Sequence, residues 1–201
     1  MSNNYWDFTY ANSIFWALVD AGATEQGAAG LLGNLYAESN ICPFRWQGDF
    51  TTDYQFSRDY TDDYMQASDY TSYVFQHDAP LGGEGYSLAQ WTTYSRKDSY
   101  YQYCKSHHSQ KLGDSASSME FLIDELQNSY PSVWNVLCNP NTSIEYASDY
   151  VLDNFEAPLE RPYETRRGYS RQAFEDFSGS PPPPPPLDIP YWLLFKFKHL
   201  L

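Results

Sequence analysis

A chain of 201 residues can build one domain with a real core and a tail, or two small domains at most. Its formal charge of −14 excludes a nucleic-acid partner, because phosphate-backbone binding needs clustered Lys and Arg. Three cysteines, Cys42, Cys104 and Cys138, allow one intramolecular disulfide and exclude a disulfide-stapled scaffold.

The amino-terminal MSNNYWDFTY has no basic stretch followed by an apolar run, so no secretory signal is visible and an extracellular target implies another route of delivery. A first helix is predicted through NSIFWALVDAG, with Ile14, Phe15, Leu18 and Val19 on one side and Gly22 as the stop. Thr24 reads as the N-cap of a second, with Glu25 in its first turn and its end near Ser39 and Asn40. Residues 45–80 break the helical pattern. Asp-Tyr pairs recur at 53–54, 59–60, 63–64 and 69–70, and DYTSYVF alternates as a strand would. The segment is expected to be either a small β-hairpin flap with rings facing a cleft, or a solvated loop.

Helix starts follow at Ser95-Arg-Lys-Asp98, Ser117-Ser-Met-Glu120 and Thr142-Ser-Ile-Glu145, the last helix of these closed by Pro158. A final helix covers YETRRGYSRQAFEDF. The expectation is a mainly α domain of the α+β kind over residues 1–178. Pro181 to Pro186 then mark a polyproline linker over 179–190, and an aromatic, basic tail fills 191–201. Eleven residues are too few to cross a bilayer as a helix. The tail suits an interfacial contact or a disordered end, and catalysis is expected not to need it.

One residue contradicts its own helix. Ala28, Leu31, Leu32 and Leu35 form an apolar stripe, and the next position on it is Glu38. Lost hydration and the negative end of the helix dipole both favour a carboxyl that keeps its proton, as a general acid must. A salt-bridged Glu with Arg45 or Arg58 as partner is the structural alternative. Downstream, GGEGYSLAQWTTYSRK places Gly82, Gly83 and Gly85 around Glu84, where the backbone can approach a ligand closely. Gln90 has the chemistry to bond a ligand amide, and Tyr86 or Trp91 to stack on a pyranose ring. Abundant aromatic residues, 18% of the chain, fit a carbohydrate surface.

Taken in order, AAGLLGNLYAESN, GYSLAQWT, SMEFLIDELQNSYPSVWNVL, ASDYVLDNFEAPLE and RRGYSRQAF resemble the phage-tail-type lysozyme family, within the lysozyme and lytic transglycosylase superfamily. Glu38-Ser39 matches the family's catalytic Glu-Ser pair. Gly85-Tyr-Ser-Leu-Ala-Gln90-Trp91 resembles the motif that lines the sugar cleft in related transglycosylases, with Ser87 where Gly is often found. The resemblance implies a lysozyme-like fold, Glu38 as the acid, and Ser39, Tyr86, Gln90 and Trp91 as substrate-binding residues. It also implies cleavage of the β-1,4 bond between N-acetylmuramic acid and N-acetylglucosamine in bacterial peptidoglycan, on a virion-associated or cell-wall-facing protein beside other tail or secretion-apparatus components. For a second carboxyl, Asp49, Asp53 and Glu84 are candidates, and Glu84 is preferred because it abuts the second motif. No cofactor or metal is expected, since His107 and His108 are adjacent and no ligand set is evident. Two other readings compete: a cysteine peptidase built on Cys104 with His107 and His108, and a glycan-binding module that kept the fold without catalysis.

Overall fold

Thr24 shows how local signals place the helices: its hydroxyl accepts the Gly27 amide at 2.9 Å and caps α2 (Glu25–Ser39). The computed structural model describes residues 8–107 and 109–179. α1 (Phe8–Asp20) stops two residues before Gly22, which takes φ +116°. There follow α3 (Gln55–Asp59), α4 (Ser72–His77), α5 (Tyr94–Ser106), α6 (Ser115–Asn128), α7 (Pro131–Cys138), α8 (Ile144–Val151) and α9 (Tyr163–Phe177). α9 spans the segment predicted for it, and α7 uses Pro131 as its first helical residue.

Three caps are shifted. Thr93, not Ser95, precedes α5; Asp114 caps α6 by accepting the Ser117 amide at 2.9 Å; Ser143, not Thr142, caps α8 by accepting the Tyr146 amide at 3.2 Å. At α6 and α8 several small polar residues are on offer, and the one whose oxygen reaches the third amide becomes the cap, whereas Thr93 precedes α5 with extended backbone and no side-chain bond. α8 runs into a π-helical turn, Leu152–Glu156, that ends at Ala157 with φ +45° before Pro158.

The β flap is a correction. Residues 52–64 form a short 3₁₀ turn, α3 and a π-helical turn, and DYTSYVF runs into α4, with Thr71 as its cap. Among the described residues, strand-like pairing is limited to bridges joining Tyr86 to Trp46 and to Trp91. The Asp-Tyr spacing has a helical cause. Phe56, Tyr60 and Tyr64 recur four apart: the first two rings stack with centroids 5.7 Å apart, and the second two meet at a tilt, 4.9 Å apart. Tyr60 and Tyr70 then both donate to Asp78 Oδ2, at 2.9 and 2.6 Å.

The described chain divides into two compact units. One comprises Leu35–Pro131 with the start of α1 as far as Tyr10; the other comprises Ala11–Asn34 and the chain from Ser132 onward. In the second unit, residues 27–34 of α2 are buried on every side. Gly27, Gly30 and Gly33 make this possible. A Cβ at these positions would lie 2.1 Å from the Leu137 carbonyl oxygen, 2.6 Å from Ala147 Cβ and 2.3 Å from Ser170 Oγ. Those contacts offset the poor helix propensity of glycine. Asn34 adds a buried polar lock: its amide donates to the carbonyls of Gly30 and Ser148, and Arg166 donates to its side-chain and backbone oxygens.

The first unit has an aromatic core of Trp46, Phe75, Tyr86, Trp91, Tyr100 and Phe121, each at most 4% exposed. Among the described residues no helix is long and apolar enough to cross a membrane. The tail expected over residues 191–201 lies outside the described residues, as does the linker expected over 179–190 apart from Gly179.

Candidate active site

Glu38 stands in the last turn of α2, where the buried stripe meets the surface. Leu31, Leu32 and Leu35 are fully buried, Glu38 is half-buried, and Ala37 beside it is exposed. It is therefore a rim residue rather than a core one. Ser39 turns the other way. It is 0% exposed, and its hydroxyl donates to the Leu88 carbonyl at 2.8 Å. This is a correction to its expected contact with substrate: Ser39 fastens the end of α2 to the Gly85–Trp91 segment and does not reach the surface.

That segment is held from both sides. Gln47 N–H donates to the Gly85 carbonyl at 2.8 Å, Ser87 N–H donates to the Arg45 carbonyl at 2.9 Å, and Tyr86 and Trp91 exchange backbone bonds. Gln90, half-buried, donates both amide hydrogens to the carbonyls of Arg45 and Ser87. Six non-glycine residues with positive φ lie in these stretches: Asn40, Ile41, Asp53, Tyr54, Ser87 and Gln90. Ile41, at φ +61° with a branched Cβ, is the costliest of them. Such residues cost about 1–3 kcal/mol each and persist where the surroundings over-determine the backbone, as functional sites often do. Here the surroundings include a bond from the Asn40 amide to the Tyr54 hydroxyl and the Arg45 guanidinium 4.6 Å above the Tyr54 ring.

Tyr86 and Trp91 are both 0% exposed, which corrects their expected role as stacking platforms for sugar. Tyr86 hydrogen-bonds Thr61 at 3.0 Å. Trp91 stacks on Tyr100 at 4.6 Å and donates its indole N–H to Glu125 at 2.9 Å. Glu125 in turn is gripped by two nitrogens of Arg96, at 2.7 and 2.9 Å. Their apolar rings supply core area that a unit of this size needs, and the polar ends have found partners inside.

Of the candidate second carboxyls, Asp49 is spent. It is 1% exposed and accepts the amides and hydroxyls of both Thr51 and Ser57, at 2.6–2.9 Å. Burial raises its pKa, but these bonds more than offset that and hold the carboxyl below its usual range near 3.8. Asp49 contributes stability above its unfolded pKa, and that contribution is lost as pH falls through the lower folded value. Asp49→Asn should therefore cost about 1–3 kcal/mol at neutral pH, the scale of bonds to a charged group. The deficit should shrink below about pH 4, which urea titrations at pH 7 and pH 3 will read.

Asp53 and Glu84 have exposed side chains. Glu84 keeps its carboxyl in solvent while its backbone carbonyl accepts from Lys97 at 3.2 Å. Lys97 is 0% exposed, also donates to the Asp78 carbonyl at 3.0 Å, and lies 5.0 and 4.8 Å from the ring centroids of Trp46 and Phe75. Burial depresses its pKa to about 8, against the opposing pull of Asp78 and Glu84. It closes the glycine-bearing loop between those residues.

The cysteine-peptidase reading finds no support. Cys42, Cys104 and Cys138 are free thiols, and burial pushes Cys104 up to about 12, where no reactive thiolate forms near neutral pH. His107 stacks on Tyr103 at 3.9 Å, and His108 lies outside the described residues. Sequence reasoning missed Gln47, Arg96, Lys97 and Glu125. Each acts on a partner 13 to 38 residues away, so no local pattern marks it. A family model described as phage tail lysozyme matches residues 9–177. No curated protein matches the chain.

Proposed function

The chain belongs to the phage tail lysozyme family, and from that premise we propose that it cleaves the β-1,4 bond between N-acetylmuramic acid and N-acetylglucosamine with Glu38 as general acid. A lysozyme-like, peptidoglycan-acting role on a virion-associated or cell-wall-facing protein comes with the family. The bond and the acid are our reading. The observation that supports it is the place of Glu38. It is a half-buried carboxyl just past the buried stretch 27–35 of α2, beside a serine that ties that rim to the Gly85–Trp91 segment.

In this mechanism the Glu38 carboxyl donates its proton to the glycosidic oxygen as the C1–O bond breaks and positive charge develops on the sugar. The carboxylate left behind accepts a proton from whichever nucleophile attacks C1. If water attacks, the product is reducing muramic acid; if the sugar's own 6-hydroxyl attacks, it is the 1,6-anhydro form. The occupied oxygens of Asp49 leave Asp53 and Glu84, and Glu84, which abuts the Gly85–Trp91 segment, is our candidate for a second carboxyl acting on the first route.

Incubation with purified peptidoglycan followed by mass spectrometry of the soluble products tests the reading. Muropeptides ending in either sugar form are the expected result. Binding of the sacculus with no soluble product would overturn catalysis and leave a glycan-binding module.

A further inference from the structure

The glycine-rich loop is covered by two amide side chains whose polarity the backbone has already chosen. Gln47 Oε1 accepts the Gly85 amide at 3.1 Å, so its oxygen is engaged and its NH₂ is the free end. Gln90 is the reverse: its NH₂ donates to the Arg45 and Ser87 carbonyls at 3.1 and 2.9 Å, leaving Oε1 as the free end. Neither amide can flip without losing these bonds. Neither free end has a hydrogen-bond partner among the described residues.

The two amides meet over glycine because nothing larger fits. A Cβ on Gly85 would lie 2.9 Å from Gln90 Oε1 and 3.3 Å from Gln47 Oε1, and one on Gly83 would lie 2.8 Å from the Gln47 side chain. Gln47 is exposed and Gln90 half-buried, so the pair faces solvent. It offers one donor and one acceptor from two amides that both crowd the same face of Gly85. A secondary amide, with one N–H and one C=O, is the complementary ligand.

We propose that Gln47 and Gln90 together recognise the acetamido group of an N-acetylhexosamine unit, Gln47 donating to its carbonyl and Gln90 accepting from its N–H. This rests on the peptidoglycan reading and gives it a specificity element; Gln47 is the new member of the site. A sugar with a hydroxyl in place of the acetamido group leaves both ends unpaired, which is how such sites discriminate.

The test uses the full chain carrying Glu38→Gln, so that glycan is bound and not consumed. Its affinity is measured for chitotetraose and for cellotetraose, both neutral β-1,4 tetramers differing in the acetamido group. Chitotetraose should bind at least about tenfold tighter, the scale of two neutral hydrogen bonds. In nuclear magnetic resonance spectra it should shift the Gln47 side-chain NH₂ signals, and cellotetraose should not. Adding Gln47→Glu keeps an oxygen for the Gly85 amide but replaces the donor, so the preference should collapse to within about threefold. Should that variant fail to fold, the Gln47 resonance decides alone. Equal affinity for the two tetramers, or an unmoved Gln47 signal, overturns the proposal while release of soluble muropeptides by the wild-type chain would leave cleavage standing. Failure of the wild-type chain to release them would instead sink the peptidoglycan-cleaving reading.

Discussion

Glu38→Gln should lower peptidoglycan solubilisation by at least about a hundredfold, the usual scale of losing a general acid. The amide keeps the shape of the side chain and removes the transferable proton. Stability should hold, since the amide fills the same half-buried place at the end of α2. Turbidity loss of a peptidoglycan suspension and a melting curve, run on the same preparation, separate the two effects. Retention of more than a tenth of the wild-type rate in a folded variant would remove Glu38 from the role of acid.

A second large effect is expected at Trp91, through stability and not through binding. Trp91 is fully buried, stacks on Tyr100, meets Phe121 edge-on at 5.0 Å, and donates to Glu125. Trp91→Ala should cost about 3–5 kcal/mol for the lost ring and the cavity it leaves. It also strips one donor from a carboxylate that is itself 5% exposed, leaving Arg96 to hold it. At roughly 2–4 °C per kcal/mol for a chain of this size, the melting temperature should drop by about 6–20 °C. Trp91→Phe keeps most of the packing but not the indole N–H, and should lose less. A folded Trp91→Ala protein with a normal melting curve and weakened glycan binding would mean that the indole reaches substrate after all.

The same contrast governs what could be read in advance. Caps and periodicity are local, and so the helices were legible within a few residues: Gly22 ends α1, Thr24 opens α2, and α9 runs over the segment expected of it. The 45–80 region misled for a physical reason. Aromatic residues spaced for a helical ladder, Phe56, Tyr60 and Tyr64, sit among aspartates and turn-formers, and over a few residues that mixture also passes for strand and loop.

By itself, then, the amino-acid sequence determined the helical class, the family through the order of its motifs, and Glu38 as the residue at odds with its helix. Only the tertiary structure decided which way the neighbouring side chains face. Ser39, Tyr86 and Trp91 turn inward because the Leu88 carbonyl, Thr61 and Glu125 await them 49, 25 and 34 residues away. Gln47 remains exposed, with its polarity set by an amide 38 residues on. Helical periodicity is carried by neighbours within four residues, whereas burial and the pairing of polar ends depend on segments that meet only when the chain has folded.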